Sequence, residues 1–482
     1  MTENTVSRRI FIMGTAAAAA ATMGSGTASA QEGQKKRTPS LKRLGYKSPN
    51  EKLNVAAIGA GGKGGSDIEK CSYTENIVAL CDADFKRAGS IFRKFENAKK
   101  YKDFRKMLDN EPNIDACTIS TPDHMHAMAA VWCMERGIHV YVQKPLTHDI
   151  YEARVLREVA NHYGVASQMG NQGHSGDGVR RCCEIVWSGI IGDVKEVHAW
   201  TDRPIWNQGF KERLPEESVP EDVDWDLWLG NAPFVPFNGA GYQENDSTGY
   251  LPFEWRGWYD YGTGALGDMA CHILDPANWA LQLTAPQSVE CIQKDVHSEY
   301  AYPNKSIVKF EFPARAGMGP VTLYWYDGGN MPPRPEGVAD DEKLGDGDNG
   351  SYFVGTEGIL TLGTYGGGTR LVGKKKGEIN EEEIPYLIPR APEGIGNKKD
   401  DDMRHTLDWL YAIKSGNKAS ANFDYSGPFT EWVVMGAIAQ RVPGKLIWNA
   451  EKMEFLNSPE ATALVKRKYR DGWSLYSREK LI

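Results

Sequence analysis

From Leu53 onward the chain alternates short apolar runs with longer stretches of helical spacing. The runs Leu53–Ile58, Ile77–Cys81, Ala116–Ser120, His139–Val142 and Val165–Met169 read as buried strands. Between them lie a helical stretch after the first run, another over Phe85–Phe95 followed by Tyr101–Leu108, one from about His124 to Arg136, and one over Ile150–His162. Strand–helix alternation of this kind predicts a parallel, doubly wound sheet over residues 53–170. Past Gly170 the texture changes. Residues 170–265 read as loop-rich and aromatic, with Trp200, Trp206, Trp225, Trp228, Trp255 and Trp258 among many tyrosines. Strand-like segments follow at Val289–Asp295, Ser306–Phe312, Val321–Tyr326, Tyr352–Gly355 and Ile359–Leu362, with helical patterns at Met403–Lys414 and Phe429–Gln440. These predict a second α/β domain over 171–482, built on a large, mostly antiparallel sheet. Residues 327–350, rich in Gly, Pro and Asp, read as a long loop and a candidate lid.

At 482 residues, with 41% hydrophobic and 25% charged positions, the chain has ample material for two packed domains. A net charge of −8 without a long basic run argues against nucleic acid as the main partner. Residues 1–30 read as a targeting segment: Ser7-Arg8-Arg9-Ile10-Phe11, an alanine-rich apolar stretch Ile12–Met23, then Ala28-Ser29-Ala30 as a small-residue cleavage site. The paired arginines resemble a twin-arginine export signal, which predicts a periplasmic protein; an uncleaved N-terminal anchor is the alternative. Residues 31–52 are polar and basic and read as a linker or arm. No stretch past the N-terminus is long and apolar enough to predict a spanning helix. The eight cysteines show no small-scaffold disulfide spacing, and several lie in apolar runs as small buried hydrophobes. No Cys/His spacing matches a zinc site, so no metal is expected.

Gly59-x-Gly61-x-x-Gly64 lies between the first strand and a helix, with Gly62 inside the turn and Asp82 at the end of the second strand. In this context Gly59 permits a tight turn, Gly61 lets backbone approach a pyrophosphate, and Gly64 allows close helix–strand packing. The helix start then offers free N–H groups and a favourable dipole to the phosphates. Asp82 falls where a carboxylate takes the ribose hydroxyls, which predicts NAD rather than NADP, although Lys86 and Arg87 soften that preference. Thr121-Pro122 and Gln143-Lys144-Pro145 fall at strand ends, beside such a cofactor. Lys144 there can hold a substrate hydroxyl; a plain surface lysine is the alternative. Asp268 and His272, four apart in a predicted helix, share a face on which the carboxylate can orient the imidazole and raise its pKa. By spacing alone, a pair that only stabilises the helix is the favoured reading. Gly262, Gly264 and Gly267 before it would admit close approach of a ligand. The rings between Trp200 and Tyr261 suit stacking on sugars, though more than half are expected to fill the core.

Taken together, the GAGGKG turn, Ser120-Thr121-Pro122 with His126 four beyond the proline, Lys144-Pro145, and the glycine-rich run ending in Asp268-x-x-x-His272 carry a resemblance. The chain resembles the glucose–fructose oxidoreductase, inositol dehydrogenase and rhizopine-catabolism (Gfo/Idh/MocA) family. The resemblance implies a Rossmann domain, a C-terminal α/β domain whose sheet often forms an oligomer interface, a bound nicotinamide nucleotide, and sugar or cyclitol substrates. By the same likeness Lys144, Asp268 and His272 are catalytic, with His272 as general base. Gly59, Gly61, Gly62, Gly64, Asp82, Ser120, Thr121, Pro122, His126, Gln143 and Lys144 then face the cofactor. Gln172 and His174 are candidate substrate contacts, and a homo-oligomer, dimer or tetramer, is expected. One departure stands out: the family pattern Glu-Lys-Pro is here Gln143-Lys144-Pro145, which removes a charge beside Lys144. The first functional reading is an NAD-dependent oxidoreductase acting on a sugar or cyclitol hydroxyl, with the cofactor tightly bound. Export adds a second, a redox-neutral glycosidase that oxidises its sugar only transiently. A non-catalytic sugar-binding relative is the third.

Overall fold

The computed structural model describes residues 51–242, 248–373 and 384–477. The expected export segment and nearly all of the expected arm lie outside the described residues. The chain opens with β1 (Asn54–Ile58), α1 (Lys63–Cys71), β2 (Asn76–Cys81), α2 (Phe85–Lys94), β3 (Lys99–Tyr101) and α3 (Phe104–Asn110). It continues through β4 (Ala116–Ile119), α4 (Asp123–Met134), β5 (His139–Gln143), α5 (Ile150–Tyr163) and β6 (Ser167–Gly170). The six strands form a sheet of order β3-β2-β1-β4-β5-β6, and every pairing is parallel. Strands covered on both faces must be apolar throughout, and β4 and β5 are buried at every residue. Tyr101–Leu108 is split: Tyr101 closes β3, and the helix begins at Phe104, where Asp103 caps it by accepting from the Arg105 N–H.

The second half begins with α6 (Asp177–Trp187), β7 (Val194–Trp200), α7 (Trp225–Leu229), α8 (Gly264–Ile273) and α9 (Asp275–Ala280). Then come β8 (Ser288–Lys294), β9 (Ser306–Phe312), β10 (Val321–Tyr326), β11 (Gly350–Gly355), β12 (Ile359–Leu362) and β13 (Arg370–Val372). The chain ends in α10 (Asp401–Ser415), α11 (Phe423–Arg441), β14 (Leu446–Asn449), β15 (Glu454–Phe455) and α12 (Pro459–Ala463). The sheet has nine strands, ordered β13-β12-β11-β7-β10-β9-β8-β14-β15. Only β7 and β10 pair in parallel, so the sheet is mixed and mostly antiparallel.

Residues 170–265 are more regular than a loop-rich reading allows. They contain α6, which buries Val179, Cys182, Cys183 and Val186, and β7, which runs in the middle of the large sheet. The loop after β10 is no lid, because none of its residues lines the cleft described below. It packs along the large sheet, where the Trp200 indole donates to the Gly347 carbonyl at 2.8 Å and the Tyr352 hydroxyl to that of Pro333 at 2.6 Å. All eight cysteines are free thiols, and all but Cys291 are buried.

One helix joins the two sheets. Every residue of α11 from Phe429 to Gln440 is buried, and it packs on α5 beside the parallel sheet and on α8, β8 and β9 of the other. Apolar residues all round it fit that position between layers. It starts before Pro428, at the Asn422 cap; the proline forfeits one hydrogen bond, to the Asp424 carbonyl, which burial of Phe423 and the following turns offsets.

The glycine turn is fixed by space. Gly59 has φ +77°, and a Cβ there would lie 2.7 Å from the backbone of Ser120 and Thr121. A Cβ on Gly64 would strike the Gly59 carbonyl. Gly64→Ala is therefore expected to destabilise the protein by about 1–3 kcal/mol, the usual range for overpacking. Urea unfolding measures it; an unchanged midpoint would contradict the packing described.

Candidate active site

All six parallel strands end on one cleft of about 630 Å³, β3 through Lys102. Gly59 follows β1, Asp82 follows β2, Ser120 and Thr121 follow β4, Gln143 and Lys144 end β5, and Gln172 lies just past β6; all line the cleft. Ligands of doubly wound sheets bind at this place because the strand ends leave backbone groups and helix N-termini free.

At one end Asp82 accepts from the Gly61 N–H at 2.8 Å and the Asp84 N–H at 2.9 Å. Burial pushes its carboxyl up to about 6, against the pull of those two donors. Arg87 lies over the glycine turn, close enough that a Cβ on Gly61 would meet its Cγ at 2.7 Å. Lys86 turns away from the turn, with its ammonium 4.7 Å from the ring centre of Tyr242. Of the two, Arg87 is the one that lines the cleft beside Asp82.

At the other end Lys144 reaches across to α8. Its ammonium lies 2.8 Å from Asp268 Oδ1 and donates to the Asp268 carbonyl at 2.6 Å. Arg256 approaches the same carboxylate oxygen at 3.2 Å, its guanidinium resting on the rings of Phe253 and Trp255. Burial alone would raise the Asp268 carboxyl, but Lys144 and Arg256 outweigh it and hold it below the usual range. The Asp268–His272 spacing therefore does less than expected. The carboxylate is spent on Lys144 and Arg256, and His272 Nδ1 is buried without a partner. Burial and then Lys144 push the imidazole well below its ordinary pKa, and Asp268 opposes them only in part. His272 is neutral at neutral pH and so able to take a proton.

The remaining candidates divide. Ser120 Oγ and Gln143 Nε2 both donate to Asp67. Thr121 Oγ1 is buried on the cleft wall without a partner. His126 is a brace: its ring nitrogens lie 2.9 Å from the Pro145 carbonyl and 2.8 Å from that of Thr121, tying two strand-end turns together. Gln172 lines the cleft and donates to the Tyr141 hydroxyl at 3.1 Å. His174 does not line it. The tight 3-10 turn Gln172–Ser175 sends His174 into the core, 2.9 Å from Asp275 and stacked on Trp279. The glycines before Asp268 also serve the protein rather than a ligand. A Cβ on Gly262 would meet the Arg256 backbone, one on Gly264 the Tyr302 ring, and one on Gly267 the Thr263 side chain. Of the aromatic stretch, Trp228, Phe253 and Trp255 line the cleft, while Trp225, Trp258, Tyr250 and Tyr261 fill a buried cluster.

Several cleft residues carried no sequence signal. Arg256 sits among aromatics, and Asp67 lies within an ordinary helical turn. Tyr365 comes from Gly-Thr-Tyr-Gly-Gly-Gly between β12 and β13, legible as a turn but not as part of a site. It holds a left-handed backbone (φ 60°) and sets its ring edge-on to His272, centroids 4.7 Å apart. Left-handed backbone at a non-glycine residue costs energy and persists where the surroundings impose it. Gly173 makes room for it, since a Cβ there would meet Tyr365 Cα at 2.7 Å. Among the described residues no group of three His, Cys, Asp or Glu side chains is arranged to hold a metal.

A dinucleotide fits this cleft on the structure's own terms. Gly59 and Gly64 have no room for a Cβ, Asp82 follows β2 as an acceptor, and Thr121 Oγ1 is unpartnered on the cleft wall. The fold and cleft define a Rossmann protein with a second, sheet-based lobe closing the site. Residues 53–171 match the oxidoreductase family model described as the NAD-binding Rossmann fold, and residues 178–312 match that family's C-terminal alpha/beta domain. The chain belongs to the Gfo/Idh/MocA oxidoreductase family. It is 21% identical over 201 residues to a levoglucosan dehydrogenase of Pseudarthrobacter phenanthrenivorans, a match spanning 42% of this chain and 41% of that one. It is 31% identical over 153 residues to a glycosyl hydrolase family 109 protein of Solibacter usitatus, spanning 28% and 32%. The matched stretch is thus well under half of either relative's length. In fold it is similar to the WlbA dehydrogenase of Bordetella pertussis, solved with NADH and UDP-GlcNAcA: TM-score 0.57, 12% identity, 84% of this chain and 99% of that one.

Asp82 generates a pH prediction. Its folded pKa, about 6, lies above that of an unfolded aspartate, so its ionisation works against folding of the free protein as pH rises to 6. Ribose hydroxyls need the ionised form as acceptor. NAD affinity should therefore fall as pH drops below about 6, by at most about tenfold per pH unit. Titration calorimetry at pH 5 and 7.5 measures it, and equal affinities would remove Asp82 from the nucleotide site.

Proposed function

We propose that the protein is an NAD-dependent oxidoreductase that moves a hydride from a sugar or cyclitol hydroxyl carbon, with its cofactor held tightly. The observation that carries this reading is the Lys144–Asp268 pair beside neutral His272, at the end of a cleft that runs back to Gly59 and Asp82. Gly59, Gly61, Gly62, Gly64 and Asp82 would hold the pyrophosphate and ribose, with Thr121 and Gln143 toward the nicotinamide; bound NAD supplies the hydride acceptor. Lys144, held by Asp268, donates a hydrogen bond to the substrate oxygen and steadies charge that develops on it. His272 takes the hydroxyl proton, and Asp268 favours the imidazolium that results. Tyr365 and Trp255 present rings to the apolar faces of the sugar. Asp82 favours NAD over NADP, and Arg87 is the group through which NADP would be tolerated. The chain is proposed to work as a homo-oligomer, exported by the twin-arginine route to the periplasm.

Export favours a second reading, since a cofactor carried out of the cytoplasm must return to its starting state each cycle. A glycosidase that oxidises its sugar, eliminates, adds water and reduces again meets that need, and the likeness to a glycosyl hydrolase family 109 protein supports it.

His272→Ala should lower turnover by a factor of about 10²–10⁴, the usual worth of a positioned general base. Steady-state assays on a panel including levoglucosan and myo-inositol measure it, and unchanged turnover would remove His272 from the mechanism. Mass spectrometry of the denatured, dialysed protein should release near-stoichiometric NAD. Product analysis then separates the readings: stoichiometric NADH marks the dehydrogenase, and bond cleavage without net NADH marks the glycosidase.

A further inference from the structure

Asp67 is 3% exposed in α1, yet it contacts three side chains that line the cleft. Gln143 Nε2 donates to its Oδ2 at 2.8 Å, Ser120 Oγ donates to the same oxygen at 2.9 Å, and Lys63 pairs with Oδ1. Those three come from the glycine turn's helix, the end of β4 and the end of β5. A buried carboxylate is costly unless donors surround it, and here the donors are the groups a cofactor would touch.

Resting on the dinucleotide reading above, we propose that Asp67 is a positioning residue that sets the polarity of Gln143. A carboxylate only accepts, so it takes the amide N–H₂ and leaves Gln143 Oε1 for the cleft, as an acceptor for a cofactor hydroxyl or carboxamide. Gly170 makes room for the amide there: a Cβ would lie 2.7–2.9 Å from the end of the Gln143 side chain. The acceptor carboxylate that a Glu-Lys-Pro pattern places at the end of β5 stands in this chain one helix away. Here position 67 holds the carboxylate and position 143 the amide, and exchanging the two side-chain types keeps one donor facing one acceptor.

That exchange can be made. In Asp67→Asn the two acceptor oxygens become one acceptor and one donor, so the Gln143 amide is no longer held in one orientation; in Gln143→Glu two carboxylates face each other across a hydrogen-bond distance. Each single variant should weaken NADH binding by about tenfold or more, and the double variant Asp67→Asn/Gln143→Glu, whose new amide donates to the new carboxylate, should return to within about threefold of the unmodified protein. NADH fluorescence titration of the purified full-length protein reads this without a sugar substrate, and thermal melts report folding. Gln143→Glu alone carries a second signature. Its affinity relative to the unmodified protein should improve as pH falls, because facing carboxylates share one proton. That arm stands even if Asp67→Asn does not fold. Affinities within about twofold in both single variants, or a double variant whose loss is the product of the two, would overturn the proposal. Failure of the unmodified protein to bind NADH would instead reject the dinucleotide reading itself.

Discussion

The ion pair between Lys144 and Asp268 is the contact on which the rest of the site depends. It joins the end of β5 to α8, so it spans the two sheets as well as two charges. Both side chains are about 15% exposed, and charges so far removed from water are tolerated only when paired. Arg256 shares the carboxylate and is itself held by aromatic rings, so the cation count around Asp268 exceeds its one negative charge. Burial first, and then the nearby Lys144, keep His272 uncharged. A spacing that could have made an aspartate–histidine couple makes instead a lysine–aspartate couple, with a free histidine beside it.

The parallel sheet was legible because burial on both faces forces apolar runs, and the turns between them need glycine, aspartate or proline at fixed places. Five of its six strands and the residues at their ends, Gly59, Asp82, Thr121 and Lys144, stand out in the sequence for this reason. β3 did not, since three polar residues at a sheet edge carry no period. β7 did not either. Lys195, Glu196 and His198 look like loop, although His198 is stacked between Tyr324 and Tyr352 in the sheet's outer face. His174 and the glycines before Asp268 show a different limit. Residue type announces that something approaches closely, but not whether it is a ligand or the protein's own chain. At Gly262, Gly264 and Gly267 it is the chain. Arg256, Asp67 and Tyr365 were invisible because their meaning lies in contacts made across long stretches of sequence.

Tyr365 and His126 show two ways of holding a cleft in shape. His126 does so by ordinary means, a buried neutral ring set between two carbonyls and able to donate to one of them. Tyr365 is held in an unfavourable backbone state by glycines that let its loop approach Gly173 and Gly178. One contact is cheap and internal; the other sets a ring at the mouth of the cleft.

The placement of α11 bears on how a bound molecule leaves. Because this helix packs on α5 and on α8, β8 and β9, the apolar interior is continuous from one sheet to the other. Two lobes welded through a common interior cannot swing apart as rigid halves without exposing that interior to water, a cost that scales with the apolar area uncovered. Traffic through the cleft is then left to its rim: the Leu251–Arg256 turn, the Tyr365 loop and the start of α10. A molecule that leaves only when small pieces of rim move is released slowly if it is long and bound along its whole length, and quickly if it is short and sits at the mouth. On the proposed function, a nucleotide lying along the cleft would then stay long and a sugar at its mouth only briefly.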